Sequence, residues 1–211
     1  MDDLLTEEKN EHNKYKTISI ILILILSICI IAIVVLIILL VKSKKQEQNI
    51  KTFNYWVEKY KMIDHIEGGK FQYETYNSSF KVNLTEYDGL ERIGTSICYY
   101  ILNSNEPGIF HKLKGDECWL FHDGTPLTLY LMNETTGNIE TKLLGLCEKC
   151  EPLICVKGGT IFAEIGGEQY TFVSLQTAPA FDVRDCVTYK KEDLLAKYPQ
   201  NKEIIEKIYP K

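Results

Sequence analysis

The residues best equipped for chemistry lie in one stretch, Gly108-Ile109-Phe110-His111-Lys112-Leu113-Lys114-Gly115-Asp116-Glu117-Cys118-Trp119-Leu120-Phe121-His122-Asp123-Gly124. Along an extended chain, side chains alternate between faces, so Glu117, Trp119 and Phe121 share one side and Cys118, Leu120 and His122 the other. A carboxylate in line with two aromatics is out of place on a solvent face. If that face is interior, Glu117 requires a partner: His111, a metal or a ligand. Burial also raises a carboxyl pKa, the usual device for a general acid or base. His111 and Glu117 are therefore the candidate catalytic pair.

Cys147-Glu148-Lys149-Cys150 invites a zinc or redox reading. Zinc needs a second ligand pair at suitable spacing, and Cys155 alone does not supply one. A redox CxxC opens a helix, whereas here Pro152 follows almost at once. Free thiols on a surface loop, or one disulfide in an oxidising compartment, fit the sequence better. There is no Gly-rich phosphate loop and no nucleophile elbow.

The elements that must position these residues are short strands. From Gly68 to Tyr189, apolar runs recur at Ser96–Leu102, Leu153–Val156, Ile161–Ile165 and Tyr170–Leu175, with alternation at Phe71/Tyr73/Thr75 and Leu127/Leu129/Leu131. Turn pairs separate them: Pro107-Gly108, Asp123-Gly124, Gly158-Gly159 and Gly166-Gly167. This pattern predicts an all-β sandwich or barrel, not alternating βα units. Ahead of it, Ile50 to Met62 predicts a helix whose stripe of Phe53, Trp56, Val57, Tyr60 and Ile63 packs on the domain or, alternatively, lies at a membrane surface, where Trp and Tyr are favoured. Behind it, Lys191–Tyr198 and Asn201–Tyr209 read as two short helices split at Pro199.

No charged residue stands between Lys16 and Lys42, and Ile18 to Val41 is almost wholly Ile, Leu and Val. As a helix the run spans about 36 Å, enough to cross a hydrocarbon core of about 30 Å. It is too long for a signal-peptide core and lacks an Ala-x-Ala-like site, so the expectation is a single-pass transmembrane helix at residues 18–41. Residues 1–17 are then a polar tail, 42–52 a linker and 53–211 the β domain with its C-terminal helices. Lys9, Lys14 and Lys16 before the helix, against Lys42, Lys44, Lys45 and Lys51 after it, lean towards a cytoplasmic domain. Sequons at Asn77, Asn83 and Asn133, and six cysteines after the helix, lean towards an oxidising compartment. The side stays open. With a formal charge of −5 and no basic patch on the domain, the sequence carries no nucleic-acid footprint.

A resemblance becomes specific at this point. His111-Lys112-Leu113, Asp116-Glu117-Cys118-Trp119 and Gly124-Thr125-Pro126-Leu127 resemble the signature of cupin 5, the cupin family catalogued as domain of unknown function 985. His65-Ile66-Glu67-Gly68-Gly69, Ile93-Gly94-Thr95-Ser96-Ile97, Ala178-Pro179-Ala180-Phe181-Asp182 and Leu194-Leu195-Ala196-Lys197-Tyr198-Pro199 are similar to further family segments in the same order, over residues 55 to 209.

The resemblance implies a jelly-roll β-barrel, a homodimer and one internal pocket. His65, Glu67, Trp119, Phe121 and Tyr99 or Tyr100 would bind a small polar, sugar-like ligand there. It also implies an isomerase- or epimerase-like activity in which His111 and Glu117 handle protons; a non-catalytic binding module or a structural barrel is the alternative. Metal-dependent cupins carry further ligands. Here Leu113 stands at the second histidine position and Phe162 near the last, so His111 and Glu117 fill two of four ligand positions. His65 or His122 would have to complete a divalent-metal site. No cofactor is assigned.

Overall fold

Strands form where apolar and β-branched side chains recur with a period of two, or run unbroken where both faces are buried. The computed structural model describes residues 26, 28–40, 42, 51–72, 75–87 and 89–209. Among the described residues beyond residue 50 there are fourteen strands in chain order. One sheet has the order β1 (Ile63–Asp64), β2 (Lys70–Phe71), β6 (Ser96–Leu102), β13 (Thr171–Ala178), β8 (Asp116–Gly124), β11 (Leu153–Val156), with β3 (Tyr76–Asn77) also on β6. The facing sheet runs β10 (Ile139–Leu144), β9 (Leu127–Met132), β12 (Ile161–Ile165), β7 (Gly108–Leu113), β14 (Cys186–Thr188). A small ribbon pairs β4 (Lys81–Asn83) with β5 (Glu91–Ile93). All these strand pairings are antiparallel.

Consecutive long strands switch sheets, β7 to β8 to β9, which is jelly-roll connectivity. Between the sheets lies a core of Tyr100, Leu102, Trp119, Leu127, Leu129, Leu144, Phe162, Val173 and Leu175. The outer faces are covered too. On the second sheet, Leu194, Ile205 and Ile208 of helices Lys191–Lys197 and Lys202–Ile208 pack on Phe110, Ile161, Ala163 and Ile165. Burial on both faces explains why every residue of β12 is inside.

The helix preceding the barrel, Phe53–Tyr60, covers the outer face of the first sheet. Thr52 caps its start by accepting from the Tyr55 N–H, and Lys61 in the left-handed region ends it. Trp56 stacks on Phe172 with ring centroids 4.1 Å apart. Phe53, Val57 and Tyr60 share the contact, as their spacing predicts, but Ile63 is exposed in β1 and Met62 takes the buried place. The alternation expected over Phe71, Tyr73 and Thr75 shrinks to the two-residue β2, and Tyr73 lies outside the described residues.

Of the apolar run 18–41, residues 26 and 28–40 are helical and their side chains exposed; the rest lies outside the described residues. Among the described residues no helix is long and apolar enough to cross a membrane.

Candidate functional site

The site is built from the inner face of β8. Glu117 and Trp119 stand two residues apart and both point into the barrel, 5 % and 1 % exposed. Trp119 Nε1 donates to Glu117 Oε2 at 2.9 Å. The partner that a buried Glu117 demands is thus its own strand neighbour, not His111.

Glu67 arrives from the β1–β2 loop. That loop is closed by His65 N–H donating to the Gly69 carbonyl and Gly68 N–H to the His65 carbonyl, and Ile109 N–H of β7 donates to the Glu67 carbonyl at 2.7 Å. The Glu67 carboxylate becomes a hub. Cys186 Sγ of β14 donates to Oε1 at 2.8 Å. His65 Nδ1 and His111 Nε2 each lie 3.4 Å from Oε2. His111 Nδ1 is 2.8 Å from the Ile109 carbonyl, which only accepts, so Nδ1 carries the ring hydrogen in that contact. Arg92 of β5 grips Asp185 with two hydrogen bonds of 3.0 and 3.2 Å and so fixes the segment that presents Cys186.

A third buried carboxyl, Glu164 of β12, completes the set. Tyr100 of β6 places its hydroxyl 3.1 Å from Glu164 Oε1 and 2.8 Å from the Gly68 carbonyl. A Cβ at residue 108 would fall 1.8 Å from Glu164 Oε1, so only glycine fits there. Sequence carried a signal for Glu164: a lone carboxylate inside the apolar run Ile161–Ile165.

Three carboxyls in one barrel cannot all ionise freely. Burial, and then the Glu67 charge, push Glu117 up to about 8, against the pull of the Trp119 N–H. Burial also holds Glu164 well above the carboxylate range, with Glu67 and Glu117 adding to it. Desolvation pushes His65 down, opposed in part by Glu67. Burial lifts the Cys98 thiol to about 12, and burial plus the Glu67 charge raise Cys186, so neither is an activated nucleophile.

Beside this cluster lies a cavity of about 130 Å³, bordered among others by His65, Glu67, Ser96, Cys98, Glu117 and Phe181. Of the residues singled out from sequence, the structure brings His65, Glu67 and Glu117 to this cavity. His111 is fully buried behind Glu67, with its ring 4.0 Å from that of Phe162. Trp119 is core and reaches the site only through Glu117, while Phe121 packs at the edge of the inter-sheet core. Tyr99 faces outward, 4.4 Å from Tyr60. Its neighbour Tyr100 is the one that turns inward. Ser96, Cys98, Thr177 and Phe181 border the cavity without having been singled out as site residues.

The residues present do not suit the divalent metal that many cupins hold. Phe162 sits opposite His111 in the β7–β12 register and covers its ring, and Leu113 is buried apolar side chain where a second histidine would be needed. His122 is on the outer side, against Ser174. Among the described residues no group of three or more His, Cys, Asp or Glu is arranged to hold a metal ion.

Cys147 and Cys150 form a disulfide, and Cys118 of β8 is joined to Cys155, its register partner on β11. Cys29, Cys98 and Cys186 are free.

A structure described as a hypothetical protein from Leishmania major is similar at 26 % identity and TM-score 0.68, covering 75 % of this chain and 98 % of its own. A Shewanella oneidensis protein solved by crystallography is similar at 28 % identity and TM-score 0.68, with the same coverage of 75 % and 98 %. No curated protein matches the chain. Residues 54–188 match the model of Cupin 5, cupin superfamily (DUF985), and the chain belongs to that family.

Proposed function

We propose that this is a membrane-anchored cupin domain that binds a small polar molecule in the cavity beside Glu117. One observation carries the reading. Glu117 borders the cavity and is 95 % buried, yet only its Oε2 is engaged, by Trp119. A buried carboxyl with an open oxygen at a cavity wall is a group waiting for a partner. In a thermal-shift screen of the full-length protein against monosaccharides and other small polar molecules, at least one compound raises the melting temperature by mass action. If no compound does so at millimolar concentration, the binding reading fails.

A second reading is proton transfer of the isomerase or epimerase kind. Its support is that Glu117 titrates near neutrality beside Glu67. On this reading Glu117, not His111, meets the substrate, and His111 is a positioning residue for Glu67. Exchange of a carbon-bound hydrogen of a bound sugar with solvent deuterium, lost in Glu117→Gln, is the expected signature.

The anchor in this proposal is the 18–41 run, supported by its length and lack of charge. The domain is placed on the oxidising side of its membrane, supported by the two disulfides and by exposed sequon asparagines at 77, 83 and 133.

A further inference from the structure

The cavity's chemistry selects among small polar molecules, on the reading that it is a ligand site. We propose that its ligand is a small organic cation, a primary ammonium compound whose N–H groups meet Glu117 and whose alkyl part lies against Phe71 and Phe181. A cavity of about 150 Å³ holds benzene, so one of about 130 Å³ takes roughly six heavy atoms.

Three observations converge on a cation. Among the described residues no lysine or arginine borders the cavity, and the buried Arg92 is committed to Asp185 and Asp182. The neighbouring hydroxyls are spent: Ser96 Oγ and Thr177 Oγ1 lie 2.9 Å apart, and Ser96 Oγ also accepts from the Phe181 N–H. Besides the Asn77 amide and His65 Nε2, what remains open is the acceptor on Glu117, backed by the Glu67 carboxylate. Phe71 and Phe181, at 4.5 and 5.7 Å from the His65 ring, border the same space, and aromatic faces attract cations. A phosphate or carboxylate ligand would meet two carboxyls with no counter-charge. A polyol would leave Glu117 protonated and gain a neutral hydrogen bond there, about half as strong as a charge-assisted one.

The titratable groups facing Glu117 are Glu67 from the β1–β2 loop, His65 across the cavity, Cys98 of β6, Cys186 of β14, and Glu164 and Tyr100 behind. None is a fixed cation. An ammonium ligand therefore supplies the missing positive charge and expels the Glu117 proton as it binds.

The test is calorimetric titration of the full-length protein in detergent with n-butylammonium, its neutral isostere 1-butanol, butyrate and methyl glucoside. Expected are binding of butylammonium about tenfold tighter than butanol, no binding of butyrate, tighter butylammonium binding at about pH 8 than at about pH 6, and release of close to one proton per ligand at about pH 6 and of about half that at about pH 8. Glu117→Gln removes the preference for ammonium over butanol. Equal binding of butylammonium and butanol, binding of butyrate, or a preference that survives in Glu117→Gln overturns the proposal. Should that variant not fold, the isostere comparison and proton release in the unmodified protein decide alone. If methyl glucoside binds and butylammonium does not, the cation inference falls while the pocket stands; if nothing binds, both fall.

Discussion

His111 Nε2 lies 3.4 Å from Glu67 Oε2, and Ile109 ties the two residues together: its N–H donates to the Glu67 carbonyl, and its own carbonyl is 2.8 Å from His111 Nδ1. The loop bearing Glu67 is thereby sewn to β7. His111→Ala removes a fully buried ring from beneath Phe162 and frees that loop. The expected loss of stability is about 2–4 kcal/mol by urea denaturation. A loss below about 1 kcal/mol would mean that the ring is not a clasp.

Buried carboxyls make stability depend on pH. Glu117 holds its proton to about 8 in the folded chain but ionises near its ordinary value of 4.5 when unfolded. Over that window the unfolded state binds fewer protons, so stability is full below about 4.5 and falls as pH rises towards 8. Glu164, also raised, acts in the same sense. His65, lowered by burial, acts oppositely in a narrower range at and below its ordinary value of 6.5. The urea midpoint should decline from about pH 5 to about pH 8, with Glu117 contributing at most about 1.4 kcal/mol per pH unit. Glu117→Gln removes that contribution and leaves a shallower profile. An unchanged profile would show that Glu117 does not titrate in this window.

How much of this was readable in the sequence follows from the physics of each element. Strands β6, β11 and β12 occupy the ranges that their unbroken apolar runs mark, although only β12 is buried throughout, while β11 alternates between exposed and buried positions. The same continuity hid which face each residue takes, so nothing in Ser96–Leu102 told Tyr99 from Tyr100. Strand β10 escaped notice because Glu140, Thr141 and Lys142 interrupt its apolar residues at a sheet edge. The burial of Glu117 was legible from alternation alone. Its bond to Trp119 was not, since it depends on two side-chain rotamers. The convergence of Glu67, His111 and Cys186 joins three distant stretches of chain, and no local pattern encodes it.

Trp119→Phe isolates the hydrogen bond to Glu117. The phenyl ring keeps most of the packing in the inter-sheet core but removes the N–H that stabilises the ionised carboxylate. Glu117 should then titrate above its present value of about 8, and binding of any cation there should weaken at neutral pH. Carboxyl chemical shifts of carbon-13-labelled glutamate, followed against pH, measure the change. A downward shift would contradict the assignment of Trp119 as donor to the charged form.

The two disulfides tie stability to compartment. Cys118–Cys155 closes a separation of 37 residues between neighbouring strands, whereas Cys147–Cys150 closes only 3. On chain-entropy grounds the first is worth about 3–4 kcal/mol and the second about 2. Cys155→Ser should therefore lower stability well beyond Cys150→Ser, and reductant should lower the unmodified protein towards the double variant. Because such bonds persist only where thiols are oxidised, the full-length protein expressed in its own cell type should shift in mobility on endoglycosidase treatment, and replacing Asn133 by Gln should shrink that shift. Asn133 is well placed to carry sugar, being exposed in the β9–β10 turn with its Oδ1 accepting from the N–H groups of Thr135 and Thr136. No shift, together with free thiols at 118 and 155, would place the domain on the cytoplasmic side, as the lysine count alone would have it.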